Sequence, residues 1–251
     1  GFQSKLLLML LTVSVLSVLV AGVIGYLSGT TSLRNAEYQR LTQLRESRAR
    51  AITDAMKSIT DSAAILTHSS STTTAVRDFS AAFNDLQKAP LPPGAPEAVA
   101  KYYADVFGPA LAKNTGEKVD PMLFKPTSNA QTYLQDLYMV PAKGDFDAAM
   151  KTLTAGDPSA WSAHNARYQP FFADFAQRFG IDVVMLLDTN GNVVYSAAKG
   201  VDLGANVLSG PYRTTKLADA YRQAMRSTSV DDVVLADFEP YAPAYGVPTP
   251  W

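Results

Sequence analysis

The 251-residue chain contains no cysteine. A disulfide framework, a zinc–thiolate centre, an iron–sulfur cluster and a cysteine nucleophile are therefore excluded. Because thiols are absent altogether, composition does not separate one side of a bacterial membrane from the other. Histidine is nearly as scarce: His68 and His164 are the only two, too few for a multi-histidine metal site. Net charge is also lacking, since 22 Lys plus Arg stand against 23 Asp plus Glu, so there is no broad basic footprint for nucleic acid. Recognisable catalytic motifs are missing too, among them G-x-S-x-G, H-E-x-x-H, a phosphate loop and a kinase signature. Charged residues make up 18% of the chain and hydrophobic ones 47%, an apolar balance that points to contact with lipid. The length suits one large domain or two small ones.

From Leu6 to Leu27 the sequence carries no charge. At about 1.5 Å per residue such a helix spans roughly 33 Å, enough for a bilayer core of about 30 Å. A signal peptide has a shorter apolar region of about 7–15 residues and a small-residue cleavage site, which this segment lacks, so an uncleaved anchor over residues 1–31 is the expectation. Gly25 and Gly29 form a G-x-x-x-G pair that lets two such helices approach closely. Lys5 flanks one side, whereas Arg34, Arg40, Arg45, Arg48 and Arg50 follow on the other, and that count by itself places the C-terminal side in the cytoplasm.

Thr30, Thr31 and Ser32 offer an N-cap, after which Leu33, Leu41, Leu44, Ile52, Met56, Ile59, Ala63 and Leu66 recur mostly at helical steps. This reads either as a rigid stalk that pairs with a twin or as an amphipathic helix lying on its own domain. A second helix is expected after the Ser/Thr cluster at 69–74, with Val76, Phe79, Phe83 and Leu86 on one face. The proline-rich segment 90–96 ends it stiffly, and Glu97 to Lys113 is helical in period again. Residues 114–160 read as irregular and exposed, with short helical pieces at Ala130–Tyr138 and Phe146–Leu153.

From Ser159 the helical period returns through Trp161, His164, Tyr168 and Phe172 and stops at Gly180, a natural C-cap. Residues 181–187 form an expected buried strand, Asp188-Thr189-Asn190-Gly191 a hairpin turn, and Asn192 to Ser196 the returning strand. A glycine-bearing loop, a helix over Leu217–Ser227 and a third strand over Val233–Phe238 complete an α+β order. The expected divisions are an anchor at 1–31, a helical stalk and layer at 32–160, and an incomplete sheet at 161–251.

This order of elements, with Ser162 to Pro170, Arg178-Phe179-Gly180, Leu187 to Ser196, Gly210-Pro211-Tyr212 and Ala236 to Tyr241 in sequence, resembles the extracytoplasmic Cache sensor domains of bacterial receptors. The resemblance covers about Trp161 to Tyr241 and implies a PAS-like antiparallel sheet, here truncated, outside the cytoplasm after an N-terminal span. That implied topology overrides the positive charges after Thr31. The leader, with Gln3 to Leu11, Gly25-Tyr26, Ser28-Gly29 and Leu44 to Ala49, is similar to that of membrane-bound adenylate/guanylate cyclases. The implied whole is a ligand-sensing input module in the inner or plasma membrane, homodimeric, regulating a class III cyclase in a continuation of the chain. Chemoreceptor or histidine kinase output, or a ligand-free structural anchor, are the alternatives. The chain departs from the family in lacking the Arg-Trp-Tyr constellation of amino-acid sensors around Trp161 and the final strands of the sheet.

Within such a sheet the candidate ligand-binding residues are Asp188, Tyr195, Tyr212, Arg213 and Asp237. Tyrosine offers an apolar face with a polar tip, arginine grips a carboxylate and aspartate holds an ammonium, a set suited to a small polar metabolite. Each has a structural counterpart: Asp188 as a turn cap, and Tyr195 and Tyr212 as packing residues. His164 and Tyr168, one helical turn apart, are expected to pack against the sheet. Asp231, Asp232 and Asp237 read as a solvated turn rather than a metal cluster. No catalytic residue, cofactor or metal is expected, and the partners are a small molecule, the membrane and a second copy of the chain.

Overall fold

The computed structural model describes residues 1–181 and 183–251; Asp182, within the expected first strand, lies outside the described residues. The chain divides into two compact units, Gly1–Ile59 and Thr60–Trp251. The first is wholly helical. Helix α1 runs over Phe2–His68, straight through the expected N-cap at Thr30 to Ser32. The hydroxyls of Thr12 and Thr30 donate back to the carbonyls of Leu8 and Tyr26 in the preceding turn, so threonine sits inside this helix without ending it. Every residue from Leu6 to Leu27 is exposed, and the segment is long and apolar enough to cross a membrane.

The second unit is α+β. Helix α2 (Ser70–Leu86) begins within the Ser/Thr cluster and buries Phe79, Phe83 and Leu86. After the proline-rich connector, α3 (Ala95–Tyr102) passes through a π-helical turn at Tyr103–Phe107 into α4 (Gly108–Thr115). A 3₁₀ turn at Pro121–Phe124 leads to α5 (Asn129–Leu134), a second π turn at Gln135–Met139, α6 (Val140–Ala142) and α7 (Phe146–Lys151). Helix α8 (Ala160–Phe179) is capped by the Ser159 side chain and ends on Gly180 at φ 62°, as its sequence punctuation dictates. Strands β1 (Met185–Leu187) and β2 (Val193–Ser196) pair antiparallel. Then follow α9 (Lys216–Ala224), β3 (Glu239–Tyr241), a 3₁₀ turn at Ala242–Ala244 and β4 (Val247–Thr249).

Two expectations are corrected. Residues 233–238 are not a strand; the strand begins at Glu239 and pairs with β4 in a separate two-stranded sheet rather than extending β1 and β2. Leu235, Asp237 and Phe238 are exposed and Val233, Val234 and Ala236 only half-buried, so the apolar run forms no buried face. Nor is 114–160 a surface region: Leu134, Tyr138 and Met139 are buried. The helical pieces there are short because prolines and glycines interrupt them, yet their apolar sides still close the core.

That core has two parts. In one, Phe79 of α2, Tyr138, and Trp161 and Phe172 of α8 meet Tyr195 of β2, with the Phe79 ring 5.4 Å from Trp161 and 4.8 Å from Tyr195. The indole N–H of Trp161 donates to the Val194 carbonyl at 2.8 Å, tying α8 to the hairpin. In the other part, Tyr103, Phe107, Met139 and Val193 enclose Tyr212, Leu217 and Tyr241. The hairpin therefore lies between two apolar layers, which accounts for the burial of every residue of β2.

Candidate functional site

Beyond β2 the chain stays inside. Residues 193–205 form an unbroken buried run although only the first four are strand. A buried loop must have its polar groups satisfied from neighbouring elements, and two glutamines do this. The Gln135 amide donates to the carbonyls of Val201 at 2.7 Å and Leu203 at 3.2 Å, and its oxygen accepts from the Tyr103 hydroxyl. On the other side the Gln169 amide donates to Met150 and Ala197 carbonyls at 2.7 and 3.1 Å. Gly204, at φ 81°, brings its Cα so close to α5 that an added Cβ would sit 2.7 Å from Gln131 Cα.

This loop carries two enclosed ionisable residues. Lys199, at φ 50°, is 1% exposed and donates to Gln169 Oε1 at 2.7 Å; burial pulls its ammonium down to about 7. Asp202 is 4% exposed and accepts from the Tyr241 hydroxyl at 3.1 Å; burial pushes its carboxyl up to about 6. The two are not paired with each other, and no ion pair among the described residues includes either.

Asp202 borders a cavity of about 650 Å³, within the size range of small-molecule sites. Its walls come from four parts of the second unit: Phe146 and Met150 of α7, Ala173 and Ala176 of α8 with Ile181 and Val183 beyond it, alternate residues of the buried loop (Ser196, Ala198, Gly200 and Asp202), and Tyr241 and Val247 of the β3–β4 hairpin. Ser196 is fully buried and its hydroxyl has no hydrogen-bond partner. Gly200 matters to this geometry because its Cβ position lies 3.1 Å from Asp202 Oδ1, so a side chain there would press on the carboxylate. The cavity therefore combines apolar walls with one buried acid, Asp202. Among the described residues no group of three or more His, Asp or Glu is placed to hold a metal ion.

The five residues singled out from sequence are not brought together, and none of them borders this cavity. Tyr195 is enclosed, its hydroxyl donating to the same Gln169 Oε1 at 2.7 Å and its ring held by Phe79 and Phe172. Tyr212 is buried in the second core part beside Phe124. Arg213 is exposed and its carbonyl accepts from Arg222. Asp237 is exposed and accepts from the neighbouring Phe238 N–H at 2.8 Å. Asp188 caps the hairpin turn, Oδ1 accepting from the Asn190 and Asn192 N–H groups at 2.9 Å each. His164 and Tyr168 meet α2 rather than the sheet: the Tyr168 hydroxyl donates to Asp78 at 2.8 Å, and both rings lie against Phe79.

The residues that sequence reasoning passed over are Ser196, Lys199 and Asp202. The available signal was a lysine and an aspartate three apart in a stretch otherwise of small and apolar residues, Ala197 to Ala205. Comparison with protein-family models, curated proteins and solved structures finds no match to this chain.

Proposed function

We propose that the chain is the extracytoplasmic ligand-sensing input module of a membrane-anchored signalling protein, built on a Cache-like plan. The observation that carries this reading is the cavity of about 650 Å³ with the buried Asp202, which has no ion-pair partner, at its wall. A carboxylate enclosed without a counter-charge is costly, and a ligand that supplies one is favoured there. The apolar helix over residues 6–27 supports an anchor that keeps this unit at the membrane. Residue 32 onward lies outside the cytoplasm in this reading, and the output is a cytoplasmic nucleotide cyclase in a longer chain, working as a dimer.

Reporter fusions after Ser71 test the topology. Activity from an exported reporter and silence from a cytoplasmic one is the expected result; the reverse removes both the orientation and the extracytoplasmic role. Single cysteines placed along residues 33–66 of this cysteine-free chain test the dimer, with cross-linking expected at helical intervals. Uniform absence of cross-links makes the chain a monomer.

A further inference from the structure

Resting on the sensing reading above, the geometry points to a small organic cation, a primary ammonium on an apolar body, as the ligand of the cavity, held by the Asp202 carboxylate at its wall. The sign follows from what the buried groups already have. Lys199, the enclosed cation nearest in sequence, is engaged by Gln169 Oε1 at 2.7 Å and the Ala197 carbonyl at 3.4 Å, and lies 5.9 Å from the centre of the Tyr138 ring. It forms no ion pair with Asp202. The carboxylate receives from other side chains only the neutral Tyr241 hydroxyl, so its charge is uncompensated inside the protein. Asp147 and Lys151 also border the cavity, but both are exposed and of opposite sign, leaving Asp202 to set the charge within.

An ammonium has three donors and no acceptor. One meets the Asp202 carboxylate, which has a single side-chain donor in the Tyr241 hydroxyl, and it brings the counter-charge that the acid lacks. A carboxylate would face Asp202 with like charge, and an alcohol would leave the acid's charge in place. The apolar body belongs against Phe146, Met150, Ala176 and Val183, which burial of hydrocarbon favours.

The experiment is calorimetric titration of the full chain in lipid nanodiscs with three shape-matched series: phenylethylamine and isoamylamine, then 2-phenylethanol, then 3-phenylpropanoate. Amines are expected to bind and the other two series not to. Asp202→Asn, which keeps an acceptor for Tyr241 but no charge, should weaken amine binding by roughly 100-fold. Ala173→Leu fills the cavity from the α8 wall, keeps the acid and should block binding, which separates loss of the site from loss of the fold; the emission of Trp161 and Trp251 reports folding in each variant. Carboxylates or alcohols binding as well as amines, or amine affinity unchanged in Asp202→Asn, overturn the ligand class while small-molecule sensing stands. Amine binding that survives Ala173→Leu overturns the location. Absence of binding by every series overturns the proposal, and the topology fusions then judge the anchored input role by themselves.

Discussion

Lys199 and Tyr195 donate to one and the same atom, Gln169 Oε1, each at 2.7 Å. A single amide oxygen on α8 thus satisfies the buried ammonium of the loop and the buried hydroxyl of β2, while the amide nitrogen holds two backbone carbonyls.

Removing this hub leaves several enclosed groups without partners. Gln169→Leu should destabilise the Thr60–Trp251 unit by about 3–5 kcal/mol, the penalty of uncompensated buried charge and polar groups. Lys199→Met, which removes the charge and keeps the hydrocarbon, should be neutral or stabilising. Urea unfolding followed by the emission of Trp161 and Trp251 reads both, and equal losses from the two substitutions contradict the hub role.

The two enclosed ionisable groups give opposite pH slopes. Asp202, raised from 3.8 to about 6, contributes stability that is full below about 4 and lost as pH rises through about 6. Lys199, lowered from 10.5 to about 7, contributes stability that is full above its unfolded value and lost as pH falls through about 7. Stability should therefore be least between about pH 6 and 7, with limbs on the order of 3 to 5 kcal/mol. Asp202→Asn should flatten the acid limb and Lys199→Met the alkaline one, read as urea midpoints from pH 4 to 9.5.

Two glycines of equal φ separate strain from space. Gly204 and Gly156 both sit at φ 81°, but an added Cβ meets Gln131 at the first and nothing within 4 Å at the second. Gly156→Ala should cost about 1 kcal/mol for the left-handed backbone alone. Gly204→Ala should cost roughly 3 kcal/mol or more, because backbone must move as well. Similar midpoint shifts for the pair refute the close approach.

The candidate residues read from sequence should divide by burial. Tyr212→Ala should cost about 3–5 kcal/mol as a core truncation, and Asp188→Ala about 1–3 kcal/mol through the loss of turn hydrogen bonds. Asp237→Ala and Arg213→Ala should fall within about 0.5 kcal/mol of the parent. Thermal unfolding of the four variants orders them, and a large loss at Asp237 shows a contact that its exposure conceals.

What was legible in the sequence was local. The capping of α8 by Ser159 and Gly180 and the turn at Asp188 to Gly191 are written in neighbouring residues, and the structure follows them. The apolar span has its own unmistakable length. The run at 233–238 reads as a strand by composition, but strand pairing depends on a partner elsewhere, and the partner of Glu239–Tyr241 is β4. The cavity was illegible for the same reason: its acid sits in a loop whose glycines look like surface punctuation, and its burial is imposed by Gln135 and Gln169, 67 and 33 residues upstream of Asp202. Tyr195 and Tyr212 were conspicuous because tyrosine suits both core and ligand, a choice that packing decides.

The dispersed walls of the cavity set an order on synthesis. The segments that bound it begin at Phe146 and end at Thr249, and an amino-to-carboxyl chain delivers the β3–β4 hairpin last. Helices α2 and α8 and the β1–β2 hairpin are made, and free to associate, before that. For an interval the nascent protein therefore holds Asp202 in a hollow open to water, without the Tyr241 hydroxyl, and the closing hairpin converts a hydrated acid into an enclosed one.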